Sequence, residues 1–200
     1  MKRAIFFDTE TTGTRAESDR IIELAAFDPE RNRSFETLIN PGIAIPIEAI
    51  NVHQITDSMV KDAPNFAEAM QQFLHFCDGD IALVAHNLIS FDLPFIQAEC
   101  RRAAIELPVE WSYIDSLIWA RRYRKDLPRH SLQFLRKIYA VESNQAHRAL
   151  NDVMTLYEVF RCMVDDLSID QIIFLLASTT KLRETPAPPP KPKEVALSLF

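Results

Sequence analysis

The chain has 200 residues, 48% hydrophobic and 25% charged, with a formal net charge of −6. That balance is ordinary for a soluble globular protein, and the length suits one α/β domain with a sizeable core and a tail. The acidic balance argues against a protein that coats nucleic acid, yet leaves room for an enzyme whose acidic cluster is neutralised by divalent metals. No apolar run is long enough to span a bilayer, and residues 1–8 lack a signal-peptide layout. No membrane association and a cytoplasmic location are therefore expected. Cys77, Cys100 and Cys162 are widely spaced and form no CxxC pair, so they read as reduced core thiols rather than zinc ligands.

Residues 3–8 (RAIFFD) are a continuous apolar run ending in an acid, which predicts a buried strand. Residues 20–27 (RIIELAAF) predict a second strand and 34–39 a third, joined by the turn-forming segment 28–32 (DPERN). Residues 56–77 carry helical spacing interrupted at Pro64, and 80–85 (DIALVA) predict another buried strand. Residues 92–104 predict an amphipathic helix with Pro94 in its first turn, where the missing N–H costs nothing. A short extended piece around Tyr113 and Ile114 precedes helices over 116–124 and 131–139. The long segment 149–164 and then 169–181 predict the last two helices. Strands first, then strands alternating with helices, give a mixed five-stranded sheet flanked by helices. Only Gly13, Gly42 and Gly79 are present, so Rossmann and P-loop readings fail.

Two further segments stand out. From 115 to 139 there are seven basic residues (Arg121, Arg122, Arg124, Lys125, Arg129, Arg136, Lys137) against two acids. They suit either phosphate contact or a solvated helix face. After residue 183 the run Pro186-Ala187-Pro188-Pro189-Pro190-Lys191-Pro192 predicts an extended polyproline linker. The expected organisation is therefore a domain over 1–183, a linker over 184–195 and a short apolar tip over 196–200.

Asp8 and Glu10 are two acids one residue apart on a strand, so their side chains project to one side. Unpaired, two such carboxylates repel and resist desolvation. Mg²⁺ or Mn²⁺ supplies the compensation, because both prefer oxygen ligands and accept water or phosphate in the remaining positions. On its own the pair also suits a solvated strand end.

Phe6-Phe7-Asp8-Thr9-Glu10-Thr11-Thr12-Gly13 resembles the first motif of the DEDD exonuclease family. His86-Asn87-Leu88-Ile89-Ser90-Phe91-Asp92 resembles the second, and His147-Arg148-Ala149-Leu150-Asn151-Asp152 the third, in the DEDDh branch that carries His. Val52-His53-Gln54-Ile55-Thr56 resembles the family's His-Gly-Ile-Thr segment, with Gln54 at the Gly position. The resemblance implies a ribonuclease H-like fold and the 3′–5′ proofreading group that includes the epsilon subunit of bacterial DNA polymerase III. It implies metal-site acids Asp8, Glu10, Asp92 and Asp152, two Mg²⁺ (or Mn²⁺) ions, and His147 as general base. It also points to Thr9, His53, Asn87 and Phe91 as residues that meet the terminal nucleotide. Ala196-Leu197-Ser198-Leu199-Phe200 resembles the short peptide by which bacterial replication proteins bind the sliding clamp, with Ala196 in place of Gln. Leu197, Leu199 and Phe200 are its expected contacts. The expected partners are nucleic acid 3′ ends, DNA rather than RNA, with the clamp and a polymerase subunit as further candidates. The competing readings are a 3′–5′ exoribonuclease and a catalytically idle clamp-binding adaptor.

Overall fold

The computed structural model describes residues 2–142, 148–177 and 180–181. Its centre is a mixed sheet in the order β3-β2-β1-β4-β5-β6. Strand β1 (Arg3–Thr11), β2 (Ile21–Asp28) and β3 (Arg33–Leu38) form an antiparallel meander. Strands β4 (Ile81–Ala85) and β5 (Ser112–Asp115) then add in parallel beside β1. The two-residue β6 (Thr180–Lys181) pairs antiparallel with β5.

Side-chain alternation along β1 divides the core. Ile5 and Phe7 pack on one face with Phe66, Met70, Phe73, Phe95 and Trp111. These come largely from α3 (Phe66–Phe76) and α4 (Asp92–Ala103). Phe6 packs on the other face with Trp119, Leu135, Val153, Leu156 and Val159, which come from α5 (Ser116–Tyr123), α6 (Leu132–Ile138) and α7 (Ala149–Asp165). In α3 the buried positions Phe66, Ala69, Met70 and Phe73 recur at helical spacing. An Asn65–Glu68 capping box starts that helix. In α7 the buried stripe Ala149, Asp152, Val153, Leu156 and Val159 sets the whole helix against β1 and β2. Asp152 therefore faces the sheet because it shares the apolar stripe.

The five predicted strands are present, and β6 is an addition. The predicted helix over 169–181 ends early: α8 spans Ile169–Ala177, and the backbone at 180–181 instead satisfies the open edge of β5. Strand β1 runs on to Thr11 rather than ending at the first acid, because β2 pairs with it through Glu10 and Thr11. The segment 56–77 divides at Pro64 into α2 (Asp57–Val60) and α3. The unpredicted α1 (Ile47–His53) precedes them. It is short and mostly exposed, so it has no apolar stripe to betray it. Among the described residues no helix is long and apolar enough to cross a membrane.

Candidate active site

Asp8 and Glu10 point from β1 toward α7, on the face that carries Phe6. The first turn of α7 brings Asp152 to meet them. One carboxylate oxygen from each of Asp8, Glu10 and Asp152 lies within 4.8 Å of the others. A register shift between Glu10 and Thr11 marks a bulge beside this cluster, a feature that re-aims side chains at the end of a paired strand.

Three acids this close resist ionising together. Burial, then Asp92, Glu10 and Asp152, holds the Asp8 carboxyl well above its usual range. Burial, then Asp152 and Glu23, pushes Glu10 up to about 8. A pair of oxygen-binding divalent cations would relieve this repulsion, and hard carboxylate oxygens are the donors such cations prefer. The donor set therefore fits a divalent metal.

Asp92 arrives from the other layer. It is the first residue of α4, buried, and its Oδ1 accepts the Thr9 hydroxyl at 2.8 Å. Thr9 alternates away from Asp8 and Glu10, so it reaches the α4 side and steers Asp92 toward the site. Burial pushes Asp92 up to about 7, opposed by the Thr9 hydrogen bond. Asp92 stands beside the trio without belonging to that tightest group.

The loop ahead of Asp92 is organised by Asp115, which is 5% exposed. Its carboxylate accepts the N–H groups of Asn87 at 3.1 Å, Ile89 at 3.0 Å and Leu117 at 3.0 Å. Asn87 adopts φ 74°, a left-handed conformation that Asn tolerates better than most residues. The backbone of Asn87 thus has a defined structural role. Phe91 stacks at 5.1 Å on Phe95 and is half-buried. His53 is buried, its Nδ1 accepting the Ile55 N–H at 2.9 Å. Burial holds its pKa below the ordinary value, opposed by Glu23 and the Thr11 backbone.

Four residues emerge only from the structure as parts of the site. Glu23 is fully buried and sits opposite Glu10 in the β1–β2 ladder. Like charges placed so are destabilising. Its Oε1 accepts Arg148 Nη2 at 2.8 Å, and its Oε2 accepts the Ala149 N–H at the start of α7 at 3.0 Å. Glu23 and Arg148 thereby lock the first turn of α7, and with it Asp152, onto the sheet. Gln133 donates from Nε2 to Asp152 Oδ1 at 2.9 Å. Asp115 is the fourth. Glu23 had a sequence signal: it is the one charged residue between Ile21 and Phe27 in an otherwise apolar run. Gln133 lies in the segment 130–135, which resembles the family segment ahead of the third motif, but its bond to Asp152, 19 residues away, is set by helix packing. His147, Leu197, Leu199 and Phe200 lie outside the described residues.

The exonuclease family model of the RNase T type matches residues 5–160, and the chain belongs to that family. A curated relative, exonuclease DPD1 of Arabidopsis thaliana, chloroplastic/mitochondrial, is 36% identical over 82% of this chain and 57% of its own length. The chain thus spans little more than half of that relative. DNA polymerase III subunit epsilon of Treponema pallidum is 37% identical over 79% of this chain and 74% of its own length. Escherichia coli exonuclease I, solved with a dA16 oligonucleotide, superposes with a TM-score of 0.77 at 20% identity, over 88% of this chain and 43% of that one. The fold is accordingly that of the ribonuclease H-like exonucleases.

Proposed function

We propose that the chain is a metal-dependent 3′–5′ exonuclease acting on DNA, in replication proofreading or repair. The observation that carries this reading is the meeting of Asp8, Glu10 and Asp152 within 4.8 Å, with Asp92 held alongside by Thr9. Similarity to a polymerase III epsilon subunit and to an exonuclease solved with an oligonucleotide supports DNA as the substrate.

These four carboxylates would hold two Mg²⁺ or Mn²⁺ ions. Bound divalent cations supply neutralisation of the attacking and leaving oxygens and acidify water. Asp8, central to the cluster, would be one of the ligands that hold these ions. Thr9 fixes the Asp92 rotamer, while Glu23 and Arg148 fix α7 beneath Asp152. His147 takes the proton from the attacking water as general base. Thr9, His53, Asn87 and Phe91 surround the terminal nucleotide, and a partly exposed ring such as Phe91 suits base stacking. The products are nucleoside 5′-monophosphates.

The domain organisation expected from sequence belongs to the same proposal. Pairing of β6 with β5 supports a catalytic domain reaching at least to Lys181. The Pro-rich linker over 184–195 then tethers the tip at 196–200, whose Leu197, Leu199 and Phe200 engage a sliding clamp. A tethered weak contact concentrates the enzyme near primer ends. The epsilon likeness supports a polymerase subunit as a further partner. Three free cysteines suit a reducing compartment such as the cytoplasm.

The test is a 3′-end analysis. Single-stranded DNA labelled at its 5′ end should shorten stepwise in Mg²⁺ or Mn²⁺, and Asp8→Ala should abolish this. Retained activity in that variant refutes the mechanism. Deleting residues 196–200 should remove clamp binding; undiminished binding refutes the tail assignment.

A further inference from the structure

A nucleic acid strand brings a row of phosphates to a centre that is itself acidic. Positive charge must come from nearby. Arg148, beside the site, is already committed to Glu23 at 2.8 Å. The surface formed by α5, α6 and their connection is different. Arg121, Lys125, Arg129 and Lys137 are exposed there and make no ion pair among the described residues. Arg124, in their midst, is neutralised by Asp126 at 2.9 Å. The unpaired charge therefore belongs to those four side chains and to Arg122, whose guanidinium lies 4.6 Å from the Phe174 ring, in a chain whose net charge is −6.

This surface adjoins the site through specific bonds. His86 directly precedes the Asn87 loop. Its Nδ1 lies 2.9 Å from Ser116 Oγ, at the start of α5, and its Nε2 lies 2.9 Å from the carbonyl of His130, the residue after Arg129. Since Nε2 must donate to that carbonyl, Nδ1 accepts the serine hydroxyl. Arg121 follows five residues after Ser116 on the same helix. On α6, Gln133 touches Asp152, and Lys137 lies four residues on, one turn away on the same face. Both helices thus lead from the carboxylate cluster into unneutralised positive charge.

We infer that this face of α5, α6 and their connection binds the backbone phosphates of the DNA strand whose 3′ end occupies the carboxylate site, with Arg121, Lys125, Arg129 and Lys137 as contacts. The inference rests on the exonuclease reading above and adds where the rest of the strand lies. Such contacts are independent of base sequence. They strengthen with strand length and weaken with salt, by about 0.7 in the log–log slope for each single-strand phosphate neutralised.

The test compares the full chain with a triple variant, Arg121→Gln, Lys125→Gln and Arg129→Gln. A control carries Arg33→Gln and Lys61→Gln, both exposed and on other elements. Fluorescence anisotropy in EDTA reads binding without turnover, using a trinucleotide and a fifteen-nucleotide oligothymidylate across a salt series. The triple variant should show a salt slope shallower by about 2 for the long strand. Its gain in affinity on lengthening the strand should shrink at least tenfold, while the control keeps the wild-type slope. An unchanged slope in the triple variant overturns the inference. So does an equal loss for both strand lengths, or a control that loses as much as the triple variant. Matching thermal melts confirm that all three proteins are folded. Absence of hydrolysis in Mg²⁺ by the wild-type chain would instead refute the exonuclease reading and leave the binding surface standing.

Discussion

Replacing Glu10 by Gln in metal-free protein isolates the electrostatic cost of the carboxylate cluster. Burial and the neighbouring acids raise Glu10 from 4.5 to about 8. The folded state therefore retains a proton that the unfolded state has already lost. An acid raised in this way contributes stability that is lost as pH rises from its unfolded value through its folded one. His53 and His86 run oppositely: both are depressed in the folded state, so their contribution is lost as pH falls below about 6.5. Above pH 6.5 the acids dominate. At about 1.4 kcal/mol per pH unit and per proton, Glu10 costs at most about 2 kcal/mol between pH 6.5 and pH 8.5. For a domain of this size that is roughly 4–8 °C in melting temperature. Asp92, raised to about 7, and Asp8 act in the same direction. The assay is thermal unfolding in EDTA at these two pH values, repeated in Mg²⁺. Wild-type protein should lose stability with pH in EDTA and recover it in Mg²⁺. Glu10→Gln should fall less steeply in EDTA, gain less from Mg²⁺ and lack nuclease activity. A metal-free melting temperature that is flat or rising over that range refutes the reasoning, as does a variant with the wild-type slope.

Other substitutions probe the supports of the site. Asp115→Ala strips the acceptor from Asn87, Ile89 and Leu117; an expected loss of about 3 kcal/mol, read by urea unfolding, should accompany at least a tenfold fall in kcat. Gln133→Ala removes one hydrogen bond to Asp152, so about 1 kcal/mol of positioning and roughly a fivefold loss of kcat/KM are expected with little change in melting temperature. Gln54 caps α1 at φ 63°, a left-handed conformation that favours glycine; Gln54→Gly should stabilise the fold by about 1 kcal/mol, measured by chemical denaturation.

The chemistry was legible early because it resides in short local patterns. Two acids at i and i+2 of β1 must share a face whatever the fold, and β1 bears this out. The meander and the parallel additions were equally readable, since each strand announces itself by apolar runs and turn residues. Helix α1 was not, because an exposed helix of seven residues has no stripe to display. The end of α8 was not either, because the open edge of β5 decides the conformation at 180–181. The family-borne residues Asp92 and Asp152 were legible only through their motifs, since nothing local says that two helices from opposite layers will converge on one strand.

What tertiary structure alone decided is how the carboxylates are held. Thr9 reads as a spacer between two acids in sequence, yet alternation sends it to the opposite layer, where it grips Asp92. Glu23 reads as an intruder in an apolar strand. In the folded chain it ties the start of α7 to the sheet through Arg148 and the Ala149 N–H. Asp115 shapes a loop 26–28 residues before it. Such partners are specified by where separate layers pack, and packing depends on the whole core at once. The sequence by itself determined which groups could do chemistry; the folded layers determined their distances, and through those distances the raised pKa values that call for a metal.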